Sequence, residues 1–284
     1  PWADSVWDSF GQAGVQGPTP PFTPRVSSAA AYDEARRRVV IVGGDGSGTA
    51  LSDTWEYDGS TWWPGPSCPV ARSGHAMAFI GSIGAILLTG GGPADAWTYD
   101  GTAWTLAPGM PASRSGHGLV YDRASGLAIL FGGSSSRGPE SSTWTFDGFR
   151  WTDISTTPLP GMAGRPAAFD TRRGVTVTVD AALGVWEWDG ADWTSRPSVP
   201  APHLLGPEMV FDAVRGRAIL FGSGQTWEYD GAAWARGPDP PPRLGWRLGH
   251  AMTYDAGRAR TVLFGGAGSG SGEDTWEYDG VAWM

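Results

Sequence analysis

Apolar and polar positions along this chain fall into short blocks. An aromatic residue, a polar turn and an apolar run ending in glycine recur in "YDEARRRVVIVGG", "YDRASGLAILFGG" and "YDAGRARTVLFGG". The spacing from the aromatic to the first glycine is fixed: Tyr32 to Gly43, Phe79 to Gly90, Tyr121 to Gly132, Phe211 to Gly222 and Tyr254 to Gly265 are each 11 apart. A second block follows each time. "DTWEYDG" occurs at Asp53 to Gly59 and again at Asp274 to Gly280, with relatives anchored on Trp97, Trp144, Trp186 and Trp227. The six anchors are 41 to 49 residues apart, and seven residues after each comes another tryptophan. Runs this short, bounded by Gly and Asp, read as strands. Each unit therefore predicts four: one like "GHAMTYD", one like "RTVLFGG", one like "DTWEYDG", and one starting at the second tryptophan.

Asp-Gly between the third and fourth strands is the favoured pair for a tight hairpin, because the turn needs positive φ. Most of these aspartates are thus turn residues, not acid–base candidates. Four antiparallel strands repeated six times predict an all-β propeller, in which blades bury their faces against one another. Composition agrees: Gly 44, Pro 23 and Trp 17 disfavour long helices and suit pleated, half-buried surfaces.

The net charge of -9 argues against a nucleic-acid partner, whose phosphates need a basic face. No apolar run approaches a membrane span. Cys68 is the single cysteine, so neither an internal disulfide nor a cysteine-cluster metal site is expected. The chain contains no Lys and no Asn, which suggests a GC-rich genome. "PWADSVW" reads as a possible mature N-terminus after cleavage, and an extracellular or periplasmic location is expected, with the cytoplasm as the alternative.

The "VLFGG" glycine pair, the downstream "WEYDG", the next tryptophan and the "RSGH" at Arg72–His75 and Arg114–His117 together resemble kelch repeats. The likeness covers residues 25 to 283. It implies a kelch-like β-propeller; the family includes protein-binding domains, carbohydrate oxidases, sugar epimerases and specifier proteins, so the fold does not fix the activity. The expected organisation is a single domain over 1–284: residues 1–24 as a closing segment and 25–284 as six repeats. The last repeat stops just inside its fourth strand, and a piece near Val6 to Gln16, with Trp7, is expected to complete it. Seven blades, with Trp7 opening its own, is the alternative.

Candidate chemistry lies where the repeats disagree. The register after the "RxGH" histidine holds Ala29, Ala76, Gly118, Pro166, Glu208 and Ala251. The histidine register itself holds Ser28, His75, His117, Arg165, Pro207 and His250, and the first-glycine register has Asp180 in blade four. Asp180, Arg165 and Glu208 are therefore expected at one end of adjacent blades. Loops over blades four and five are short, leaving that face open, and His203 and Trp246 lie in the connections flanking blade five. One reading is structural: Asp180 pairs with Arg165, and Glu208 with Arg247. The functional reading is a ligand site in which Arg165, His203, Trp246 and Arg247 bind while Glu208 and Asp180 act as a carboxylate pair suited to proton transfer. His75, His117 and His250 repeat a structural motif and are not all in neighbouring blades, so no metal is expected. The copper-oxidase branch would require a Cys beside a redox Tyr, which is missing. Neither a calcium loop nor a phosphate loop has its full set of ligands, and no cofactor is expected. The leading expectation is a binding module for a carbohydrate or peptide at one channel mouth. The alternatives are a small-molecule enzyme of isomerase or cyclase type using the carboxylate pair, and a structural module of a larger assembly.

Overall fold

The computed structural model describes residues 19–159, 166–268, 272 and 274–284. Arg165 and the segment near Val6 to Gln16 lie outside the described residues. Among the described residues every regular element is a strand, and no helix is long and apolar enough to cross a membrane.

Each repeat folds as one antiparallel sheet whose strands follow chain order from the axis outward. The inner strands are Ala29–Asp33, His75–Ile80, Gly118–Asp122, Ala167–Asp170, Glu208–Asp212 and Ala251–Asp255. Each packs on the next, and the last returns to the first, so six blades close the ring. Blade six has three full strands; Trp283 bridges to Tyr278, and Met284 exchanges two backbone hydrogen bonds of 2.8 Å with Glu277. The apolar core lies between blades: Val40 and Val42 of blade one, for example, pack with Met77, Ile86 and Leu88 of blade two.

The recurring heptapeptide has a double role. Its aromatic stacks on the tryptophan that opens the outer strand, as in Tyr57–Trp62, Tyr99–Trp104 and Tyr278–Trp283, with centroids 4.8, 4.8 and 5.1 Å apart. Its Asp caps the hairpin: Asp58 Oδ1 accepts from the Ser60 and Thr61 amides at 2.8 Å. The following glycine is required twice over. Gly101 has φ +94°, and a Cβ there would lie 2.3 Å from the Arg36 guanidinium of the preceding blade.

That arginine belongs to a contact repeated around the ring. Arg36, in the turn after the inner strand of blade one, donates to Asp33 at 2.8 Å and to Glu56. Glu56 accepts from the Tyr99 hydroxyl of blade two at 2.8 Å, and the guanidinium lies over that ring. Across blades five and six the same parts are Asp212, Arg215, Glu228 and Tyr278; across six and one they are Asp255, Arg258, Glu277 and Tyr57. Across four and five, Arg173 joins Asp170 to Glu187 and lies over Tyr229. Burial and the neighbouring carboxylates raise the pKa of these tyrosines, which keeps the phenols as donors.

At the two remaining interfaces all three partners change together. Blades two and three carry Ile83 and Ser125 at the arginine position and Thr98 and Thr145 at the glutamate position. The positions that would receive the tyrosine in blades three and four hold Phe146 and Trp188. A carboxylate without its arginine, or a phenol without its acceptor, would be a partly buried group left unpaired, so the parts are kept or lost as a set.

Glu277→Thr should therefore destabilise the fold by roughly 1–3 kcal/mol. The triple change Arg258→Ile, Glu277→Thr, Tyr57→Phe, which copies blades two and three, should recover part of that loss. Urea unfolding of the single, double and triple variants measures the coupling; additive effects would contradict it.

Candidate ligand site at the channel mouth

Each inner strand pairs on one edge only, so its other edge faces the axis. The result is a channel with a cavity at each end. One, of about 220 Å³, is lined by the ends of the inner strands, including Tyr32, Tyr121, Phe169, Phe211 and Tyr254. Its aromatics bridge blades: the Tyr32 hydroxyl accepts from the Gly257 amide at 3.1 Å, and Tyr254 donates to Asp212 at 2.9 Å. Glu34 of blade one and Arg123 of blade three form an ion pair there and line the same cavity.

The cavity at the opposite end, about 290 Å³, is lined by the starts of the inner strands and the turns before them. Its rim is a belt of backbone hydrogen bonds. Gly116 donates to Gly74, Gly74 to Ser27 and Ser27 to Gly249, at 2.8, 2.9 and 2.7 Å. No corresponding bond among the described residues links Gly249 to Gly206 of blade five. Glu208 lines the cavity beside this break, on the face of blade five that carries Val210 towards blade six.

Among the described residues the Glu208 carboxylate has neither an ion-pair nor a hydrogen-bond partner. It lines the cavity, and burial pushes its pKa up to about 8. His75, His117 and His250 also line the cavity, but their rings turn into the blade interfaces. The His117 ring meets Thr89 Oγ1 at 2.8 Å, and His250 packs edge-on against Phe221. Burial, reinforced by neighbouring arginines, pushes all three down to about 3, so they stay neutral. No group of three His, Cys, Asp or Glu side chains among the described residues is placed to hold a metal.

The other candidates are dispersed, which corrects the picture of a carboxylate pair. Asp180 is absent from the cavity lining. Its Oδ1 caps the turn through the Ala182 and Gly184 amides at 2.8 and 2.9 Å, and Oδ2 accepts from the Trp186 indole at 3.0 Å. The reason is compensation. In blades one and two that indole bond goes to Asp53 and Asp95, two residues before the tryptophan. Blade four has Gly184 there, and Asp180 supplies the acceptor instead.

Arg247 is likewise scaffold. It is 1% exposed and donates to the Gly265 carbonyl at 2.9 Å and to Asp274 at 2.8 Å, so it is neither a partner of Glu208 nor free for a ligand. Arg25 and Arg72 make the same clamp with Asp53 and Asp95. Blades four and five lose both halves: Met162 and Leu204 replace the arginine, and Gly184 and Gln225 the aspartate. This paired loss was visible in the repeat registers and marks Arg247 and Asp180 as structural. His203 is exposed in the connection before blade five and does not line the cavity. Trp246 is exposed on the rim between blades five and six.

No family model matches the chain, and no curated protein matches it. Among solved structures it is similar to one titled "Structure of YjhT", with a TM-score of 0.72 and 16% identity, covering 91% of this chain and 94% of that one. At that identity the likeness shows the fold, a six-bladed propeller.

Two stability predictions separate site from scaffold. As pH rises from about 4.5 to 8 the unfolded chain ionises Glu208 while the folded chain keeps it protonated, so its contribution to stability falls with pH. Glu208→Ala, which restores the residue of blades one, two and six, should be more stable than the parent by roughly 2–4 kcal/mol at pH 8.5 and nearly equal at pH 4.5. Denaturant titrations at both pH values test this. Asp180→Ala should instead lose about 1 kcal/mol by the same titration and red-shift tryptophan emission as the Trp186 indole loses its acceptor.

Proposed function

We propose that this chain is a kelch-like propeller serving as a binding module, with its ligand seated at the channel mouth that holds Glu208. The observation that carries the reading is the carboxylate without a partner, in a position where five of six repeats have a small residue. An ionisable group held in a cavity at a cost to stability is a functional-site signal. The cavity is at the lower end of ligand-site volumes, so it accommodates one sugar ring or the terminal residue of a peptide rather than a large compound. The short turn between Gly222 and Gln225 of blade five leaves room for the approach, and Trp246 offers an aromatic surface beside it.

Proton transfer by Glu208 alone is the second reading. A carboxyl with a pKa near 8 can both donate and accept a proton at neutral pH. It requires a second catalytic group, and Asp180 is not in position to be that group.

Thermal-shift screening with neutral monosaccharides, disaccharides and short peptides tests the binding reading. The expected outcome is a ligand-dependent rise in melting temperature for the parent that is lost in Glu208→Gln. A rise of equal size in both would place binding elsewhere on the molecule. For the second reading, a bound ligand should take up solvent deuterium with the parent and not with the variant.

A further inference from the structure

The break in the rim belt has apolar flanks. Leu205, Trp246 and Leu248 are 59%, 53% and 40% exposed, a high value for large apolar side chains. They are grouped around the gap. Leu248 Cδ2 lies 3.0 Å from where a Cβ on Gly206 would be, Leu205 adjoins Gly206 in the chain, and the Trp246 amide lies 3.2 Å from the corresponding point on Gly224. Gly206 and Gly249 both line the cavity, so the apolar group sits at its lip and Glu208 within it.

The polar side chains that line this cavity are Glu208, two serines and three histidines whose rings turn away. No arginine among the described residues lines it, and Arg247 behind it is held by Asp274. An anionic group would meet no counter-charge among the described side chains. A protonated amine would meet the Glu208 carboxylate, and inner-strand edges that offer backbone carbonyls. An aliphatic body attached to that amine would lie against the three apolar side chains at the lip.

We propose that this mouth binds a primary ammonium group carried on an apolar stem, with the ammonium paired to Glu208 and the stem against Leu205, Trp246 and Leu248. The inference rests on the binding role assigned to this mouth and names the ligand chemistry. A free alkylamine and a lysine side chain of a peptide both present that chemistry.

Binding must also move a proton. Glu208 is mostly protonated at pH 7 without ligand, and an adjacent ammonium ionises it. Among the described residues the titratable groups near it are His250 from blade six and His75 and His117 around the ring, all held neutral by burial. Arg247 and Asp274 stay paired. The released proton therefore comes from Glu208.

The test is isothermal titration calorimetry at pH 7 in two buffers of different ionisation enthalpy, with n-hexylamine, n-hexanol, methyl glucoside and a short lysine peptide as probes. Hexylamine, the lysine peptide or both should bind, with release of ~0.9 proton per ligand. The comparison of the two shows which source fits better. Glu208→Gln should weaken binding by roughly 10- to 100-fold and abolish proton release. Each methylene removed from the stem should weaken it by roughly 4-fold in the parent, and by less in Trp246→Ala. Hexanol binding as tightly as hexylamine, or unchanged hexylamine affinity in Glu208→Gln, would overturn the proposal. If methyl glucoside binds in a Glu208-dependent way and neither amine does, the ammonium assignment fails while the binding role survives. If no probe binds, both fail.

Discussion

A tyrosine hydroxyl reaching the glutamate of the preceding blade is the contact on which the polar half of this ring depends. It is made only because an arginine from an adjacent turn holds the carboxylate in place and covers the tyrosine ring. The same arginine covers the hairpin glycine, so the sharp turn and the blade-to-blade bond need each other. The joins of blades five to six, six to one and one to two are built this way, and at the join of blades four and five Arg173 pairs with Glu187 and covers Tyr229. The join between blades six and one is among them. Blades six and one are thus tied through Tyr57, Glu277 and Arg258.

Within so regular a frame, Glu208 has a clear physical meaning. Every other carboxylate discussed above is committed to an arginine, an indole, a phenol or a turn amide. Glu208 has none of these and sits where the rim belt is interrupted. Asp180 seemed comparable in the sequence because it also breaks a register, but it replaces a missing acceptor for Trp186. Departure from a repeat is therefore only half of a functional signal. The other half is the lack of a compensating change nearby, and among the described residues Glu208 shows both.

Much of the architecture was legible in the chain. Strand boundaries, hairpins and the six-fold count followed from fixed spacing, because short strands joined by tight turns tolerate no drift in register. The end of the channel carrying Glu208 also followed from strand alternation. What escaped was the identity of partners. Arg247 looked like a ligand group because its position varies between blades, but its pairing with Asp274 became clear only when the loss of both residues in blades four and five was seen together. The Glu56–Tyr99 type of contact escaped for a similar reason: it joins different repeats, whereas stacking repeats in register compares like with like. The fate of Arg165 lies outside the described residues.

The two interfaces without the arginine–glutamate pair, between blades two and three and between three and four, divide the wheel into unlike arcs. One arc is fastened by charge and responds to salt; the other is fastened by oily contact and responds to cold. Glu34 and Arg123 join blade one to blade three, one foot on each arc. High salt would loosen the seams on either side of Glu208 first, leaving blades two to four as a coherent block.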